Sequence, residues 1–236
     1  MSTRKISTLL GAAAILLSAQ TTPLLAGSLG VGIQGAAMSL TMDGKETLKG
    51  NSTVSNKKDY GTAFGAPSGY LQYRFGDNGF VVGIEKIYGS GSLGSKSTTK
   101  LDNNSTTADV DSDATTGITN TIKASIEDHV GAYIETPGFT AAGLFAKIGY
   151  STYSVVTAES LATGSVYGDL DVDALTYGIG VKGTSDAGIH LKAQLEYTDF
   201  DNMQFIGSGD SAGQTNTIDV QDIEAMGLKI SVGYQF

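Results

Sequence analysis

The chain has 236 residues, a formal net charge of −9, 32 glycines against 3 prolines, and neither cysteine nor tryptophan. Without cysteine there is no disulfide framework and no thiolate metal site. The acidic balance excludes nucleic acid as a partner recognised by charge, and the length suits a single domain.

The first residues read as an export signal. Arg4 and Lys5 precede an Ala- and Leu-rich run at 9–17, and Leu24-Leu25-Ala26 forms a small-residue cleavage site before Gly27. The run is shorter than the roughly 20 residues a membrane-spanning helix needs. Residues 1–26 are therefore expected to be a signal peptide, and 27–236 the functional domain.

Beyond Gly27 the pattern has period two, the repeat of a strand whose faces differ. Leu29, Val31 and Ile33 alternate with glycine and Gln34, and a slip of phase near Ala36–Met38 predicts a bulge. Leu71, Tyr73 and Phe75 alternate with Gln72 and Arg74. Gly76-Asp77-Asn78-Gly79 then signals a tight hairpin. With Asp77 and Asn78 as the turn residues, Phe75 pairs with Phe80 and Tyr73 with Val82, and both apolar sets land on one face. Phe80, Val82 and Ile84 continue the pattern against Val81, Gly83 and Glu85.

Val130, Ala132 and Ile134 alternate with His129, Gly131, Tyr133 and Glu135. A turn at Thr136-Pro137-Gly138 leads to a strand expected from Ala142 through Leu144, Ala146, Ile148 and Tyr150, with Phe145, Lys147 and Gly149 on its other face. Leu175, Tyr177, Ile179 and Val181 alternate with Gly178, Gly180 and Lys182. A turn at 184–187 returns the chain through Ile189, Leu191, Ala193, Leu195 and Tyr197, set against His190, Lys192, Gln194 and Glu196. Leu228, Ile230, Val232, Tyr234 and Phe236 alternate with Lys229, Ser231, Gly233 and Gln235, which brings the count to eight strands.

Connections near 77, 137 and 186 are tight. Those at 43–61, 92–121, 157–169 and 201–223 are expected as long polar loops. The predicted fold is an all-β, eight-stranded antiparallel up-and-down transmembrane barrel with short periplasmic turns, long extracellular loops and both termini on the periplasmic side. Phe80 to Tyr88 and Ile189 to Tyr197 each span eight residues. At about 3.3 Å per residue and a tilt of roughly 40°, that is about 20 Å of height, close to the apolar band of such a barrel. Tyr88, Tyr150 and Tyr197 then form an outer aromatic girdle, and Tyr73, Phe75, Phe80, Tyr234 and Phe236 an inner one.

Gly143-Leu-Phe-Ala-Lys-Ile-Gly-Tyr-Ser-Thr-Tyr153, Tyr177-Gly-Ile-Gly-Val-Lys-Gly183, Leu195-Glu-Tyr-Thr-Asp-Phe200 and Gly233-Tyr-Gln-Phe236 resemble the OmpA-like and opacity-type outer-membrane barrels. The resemblance covers most of the chain after the signal and is strongest from about 129 onward. It implies an outer-membrane location and insertion by the assembly machinery that reads a final aromatic strand, here Tyr234 and Phe236. Longer members of that family add a periplasmic peptidoglycan-binding domain. The chain stops at Phe236, so wall anchoring by that route is not expected.

The lumen of an eight-stranded barrel is just wide enough for side chains to fill. The inward set is Gln72, Arg74, Glu85, Glu135, Lys147, Lys182, His190, Lys192, Gln194, Glu196, Lys229 and Gln235. One expectation is an ion-paired plug. The alternative is a narrow porin-like conduit, leaning towards anions because five inward cations face three glutamates. Inward glycines at 83, 131, 149, 178, 180, 227 and 233 would leave it room for water.

A lipid-modifying enzyme needs a nucleophile beside a base. His129 and His190 both point inward and are not expected to meet, and neither Ser151 nor Ser154 has an evident histidine–carboxylate partner. No catalytic set, cofactor or metal site is therefore assigned. Asp109-Val-Asp-Ser-Asp113 opens like a calcium loop, but Ala114 and Asn120 stand where that motif needs glycine and glutamate. The loops, 92–121 above all, are the expected recognition surface. A soluble barrel of the lipocalin kind would need charge in its cup and is set aside. The functional expectation is a monomeric, non-enzymatic protein of envelope integrity or surface interaction, with lipid, lipopolysaccharide and the assembly machinery as partners.

Overall fold

The computed structural model describes residues 27–47, 55–77, 79–88, 90–100, 118–160, 166–208 and 217–236. The segments 1–26 and 109–113 singled out above lie outside them.

The alternating sequences form strands β1 (Ser28–Thr47), β2 (Ser55–Arg74), β3 (Val81–Ile87), β4 (Gly91–Lys100), β5 (Ile118–Glu135), β6 (Leu144–Ser160), β7 (Leu170–Thr184), β8 (Ile189–Phe200), β9 (Met203–Ile206) and β10 (Thr217–Gln235). β3 and β4 both pair with β5 and make one stave of the wall. β8 and β9 both pair with β10 and make another. Eight antiparallel staves result, and the pairing of β1 with β10 closes the ring. Closure removes the free sheet edges that hydrocarbon cannot satisfy.

The first hairpin has the expected register. Tyr73 faces Val82, and Phe75 N–H donates to Phe80 O at 2.9 Å. The second turn is longer than expected. Its strand starts at Leu144, because Gly143 has φ of 70° and lies against Lys182 O, where a Cβ would collide. Ala142 therefore belongs to the turn.

The bulge expected near Ala36–Met38 is absent. β1 keeps one register with β2 throughout, and with β10 from Gly30 to Thr41. Among the described residues the shifts fall higher: opposite Thr41/Asp43, where Asp222 has φ of 50°, at Glu127/Val130, where Asp128 has φ of 46°, and at Ser92/Gly94 in the ladder of β4 with β5. Aspartate enters this left-handed region more readily than most residues.

Strands also run into segments expected as loops: 43–47, 55–61, 92–100, 118–121, 157–160, 203–206 and 217–223 are all strand. β1 and β2 each have 20 residues. A strand of that length climbs about 50 Å, roughly twice the ~25 Å apolar band of an outer-membrane barrel. Above Pro67 the wall has a seam, since among the described residues no ladder joins β2 to β4.

What appeared as a phase slip at Ala36–Met38 is an exchange of faces. In the lower half the outer wall carries Leu144 (45% exposed), Ile179 (61%) and Val232 (45%), while Lys147 (6%) and Glu196 (3%) are buried within. In the upper half the inside is apolar. Leu40, Ile126, Tyr153, Val155, Val172, Ala174, Phe200, Phe205, Val220, Ile223 and Ala225 form one buried cluster, with Met38, Met42 and Phe64 packed against it. The outer wall there carries Thr41, Asp43, Asp171, Asp199, Asp201, Gln221 and Glu224. Apolar-out becomes polar-out near the level of Leu40, Tyr153, Phe200 and Ala225.

One chain thus holds two solvent regimes: a lower cylinder built for lipid outside, and an upper cylinder with an oily core and a wet surface. An arginine is tolerated accordingly. Ile179→Arg, near mid-height of the lower wall, is expected to cost about 2–4 kcal/mol, and Gln204→Arg on the upper wall within about 0.5 kcal/mol of nothing. Urea unfolding midpoints in lipid vesicles report both.

Candidate functional site: the lumen

The lower lumen is filled in two tiers. In the middle tier four charges from four staves form a closed ring. Lys147 Nζ bridges Glu85 Oε2 at 3.2 Å and Glu196 Oε1 at 2.7 Å, and Lys229 Nζ bridges Glu85 Oε1 at 3.2 Å and Glu196 Oε2 at 2.7 Å. Each carboxylate thus meets both ammonium groups. The remaining lone pairs are taken up as well: Gln34 Nε2 donates to Glu85 Oε2 at 2.8 Å, and Gln194 Nε2 to Glu196 Oε1 at 2.8 Å. Ser231 Oγ donates to Gln34 Oε1 at 3.1 Å. Buried charges survive only when paired and hydrogen-bonded to this degree.

The lower tier centres on Glu135, which receives Lys192 at 2.6 Å on Oε1 and Lys182 at 3.1 Å on Oε2. Lys192 and Tyr133 both donate to Gln72 Oε1, at 3.1 and 3.2 Å, and Gln72 Nε2 donates to Gln235 Oε1 at 3.2 Å. Arg74 reaches across the mouth from β2 to β7. Its Nη2 donates to Thr184 Oγ1 at 3.0 Å and contacts Nδ1 of His190 on β8 at 3.3 Å.

The twelve residues of the inward set read from the sequence lie in these two tiers, and His129, also read as inward, lies above them. Gln34, Tyr70, Tyr133 and Ser231 join them, although the inward set read from the sequence omits them and the same alternation places them inward. The upper apolar cluster was missed as well. Its signal is a pair of adjacent apolar residues where the faces exchange, as at Ala174-Leu175 and Ala225-Met226.

The room expected over inward glycines is occupied. The Tyr133 ring lies over Gly83, the Tyr70 hydroxyl over Gly233, and Lys147 and Glu196 over Gly178. These notches let large polar side chains cross a narrow cylinder.

The histidines occupy separate places. His190 is in the lower tier. His129 lies above the ring, 4.4 Å from the Tyr153 ring between centroids and 3.9 Å by Nε2 from Glu85 Oε1. A Cβ at Gly131 would meet both Ser151 Oγ and His129 Nε2, so Ser151 does have a histidine and a carboxylate nearby, contrary to the sequence expectation. The set is nonetheless miswired for nucleophilic catalysis. His129 Nδ1 accepts the Ile87 backbone N–H at 3.3 Å, and the carboxylate lies on the Nε2 side that would have to face the serine. Ser154 is on the outer wall, where it donates to Asp171 at 2.7 Å. An open recess of about 430 Å³ lies where β3 gives way to β4, lined by Lys86, Ile87, Tyr88, Ser90, Glu127 and Asp128. It holds a Lys86–Asp128 pair at 3.9 Å and no nucleophile–base set.

Of the rim aromatics, Tyr73 packs edge-on against Phe75 and Tyr234 against Phe236, each with centroids 5.0 Å apart. Phe80, Tyr88, Tyr234 and Phe236 are exposed on the outside. Tyr150 bonds to Asp173 and Tyr197 to Glu224, where the apolar wall meets the acidic one. Such side chains suit the border between hydrocarbon and water.

Wall and lumen together define a transmembrane-type β-barrel: closed, apolar on the outside of its lower half and ionic within it. No protein-family model and no curated protein matches the sequence. Solved structures of similar shape include Neisserial surface protein A, at 14% identity over 89% of this chain and 99% of that one with a TM-score of 0.43. They also include OprG from Pseudomonas aeruginosa, at 14% identity over 89% and 96% with a TM-score of 0.47. The outer membrane protease OmpT from Escherichia coli matches at 9% identity over 93% and 100%, also at 0.47. The three include a surface protein and a protease, and they assign no role to this chain.

Proposed function

We propose that this chain is a non-enzymatic outer-membrane β-barrel with a sealed lumen, serving envelope integrity and surface interaction. It would be exported by residues 1–26, folded through the Tyr234/Phe236 strand by the assembly machinery, and held as a monomer among phospholipid and lipopolysaccharide. The observation that carries this reading is the ring of Glu85, Lys147, Glu196 and Lys229, which crosses the lumen with its charges mutually satisfied. An ion entering there would have to break two or more charge-assisted bonds. The upper cylinder supports the surface role, because its oily core and polar outer wall make a rigid stalk that holds its rim away from the bilayer.

Planar-bilayer recording tests the sealed lumen. The wild-type chain is expected to give no unitary steps. Reproducible steps that vanish in Lys147→Met would replace this reading with that of a narrow channel. Lipid mass spectrometry of cells with and without the gene is expected to show the same lipid A and phospholipid species, and a difference would restore the enzyme.

A further inference from the structure

The two tiers differ in charge. The ring balances two ammonium groups with two carboxylates, whereas below it Arg74, Lys182 and Lys192 share one carboxylate, Glu135. Each oxygen of Glu135 already takes one lysine. Among the described residues no carboxylate lies within ion-pair distance of Arg74, and its partners, Thr184 and His190, are neutral acceptors. The Thr184 hydroxyl also contacts His190 Nδ1 at 2.8 Å, and because the Arg74 guanidinium beside the same nitrogen can only donate, Nδ1 accepts and the proton of the neutral ring sits on Nε2. That Nε2–H, buried and facing the lumen, has no acceptor, and neither does the buried Tyr70 hydroxyl over Gly233, the residue paired with His190. The tier is thus rich in donors and two negative charges short, inside a narrow polar passage walled by apolar surface.

We propose that the mouth on the tight-turn side binds one small oxyanion, phosphate or carboxylate in kind, held by the Arg74 guanidinium with Lys182. Arg74 is partly exposed at that end, so the site opens to solution there, with the Lys182 side chain, 8% exposed, behind it. The planar fork of arginine suits an oxyanion better than a halide. Arg74 points across the lumen to β7 and not outward, which selects a free ion over a lipid headgroup. The anion supplies the counter-charge that Arg74 lacks and pins β2 to β7 at the foot of the barrel. This goes beyond the sealed-lumen reading and holds whether or not the ring above conducts.

Titration of the isotope-labelled full chain, folded in phosphate-free non-ionic detergent, tests it by NMR with inorganic phosphate at constant ionic strength. Saturable one-to-one shifts are expected at the amides of Arg74, Lys182, Thr184 and His190, with chloride giving shifts at least tenfold weaker. Arg74→Gln and Lys182→Gln should each weaken phosphate about tenfold or more, while Lys123→Gln, on the exposed upper wall, leaves it unchanged. Spectral dispersion and heat-dependent gel mobility verify folding of each variant. Shifts that never saturate, that scatter over the surface lysines, or that persist at full strength in both mouth variants would overturn the site.

Discussion

Phe200→Ala is expected to destabilise the barrel by about 3–5 kcal/mol, although Phe200 stands just before the segment 201–223 expected as a loop. Its side chain is buried, with its ring 5.1 Å from that of Tyr153 and Leu40, Val172 and Ile223 in the same cluster. Water surrounds this half, so the cluster is held by the hydrophobic effect, as the core of a soluble protein is. Leu195→Ala on the lipid-facing wall is the matched control. Leu195 is exposed to the bilayer in folded protein, so truncation leaves no cavity and its cost should be less than about a third of the Phe200 value. Urea midpoints in vesicles give the two costs. External protease should cut the upper strands of Phe200→Ala while leaving a membrane-protected fragment.

Glu85→Gln should be as damaging, for a different reason. The substitution removes one of two carboxylates from a ring that holds Lys147 and Lys229, and strands charge in a confined lumen. Breaking a buried pair from one side costs about 3–5 kcal/mol, whereas replacing all partners by apolar groups is often neutral. The expected signature is therefore non-additive. Glu85→Gln alone lowers the urea midpoint sharply, while the fourfold change Glu85→Gln, Lys147→Met, Glu196→Gln and Lys229→Met recovers most of it. Equal losses that simply add would mean that the four charges act independently, for example each through its own water.

How much of this was legible in sequence depended on the contrast across the wall. Where lipid faces lumen, residues such as Ile179 and Gly180 or Leu195 and Glu196 differ so much that the alternation fixes strand, face and register together, and the Tyr73–Val82 pairing followed from one turn. Above the exchange of faces the signal fades. Thr217 to Gln221 and Ser55 to Tyr60 are strand, yet their polar residues read as loop, because a polar composition without strict alternation does not separate strand from coil. The exchange of faces at Met38 and Leu40 resembled a bulge, since either event puts apolar residues on the wrong parity. Bonding across the lumen was out of reach as well. Alternation says that Glu85 and Lys229 look inward, but their meeting at 3.2 Å depends on the stagger of the closed ring.

The exchange of faces is the central claim, and a chain without cysteine tests it cleanly. Single cysteines at Ile33, Ile179, Leu195 and Ile230 would sit on the lower outer wall, and at Thr41, Asp171, Asp201 and Gln221 on the upper one. With the protein folded into vesicles and spin-labelled, the first four labels should collide with oxygen and be shielded from a polar nickel reagent, as labels in hydrocarbon are. The second four should show the reverse, with the crossover between the Ile33 and Thr41 labels on β1. Labels at Ile179 and Ile230 as open to the nickel reagent as those at Asp171 and Gln221 would contradict the account, because the lower wall would then be facing water.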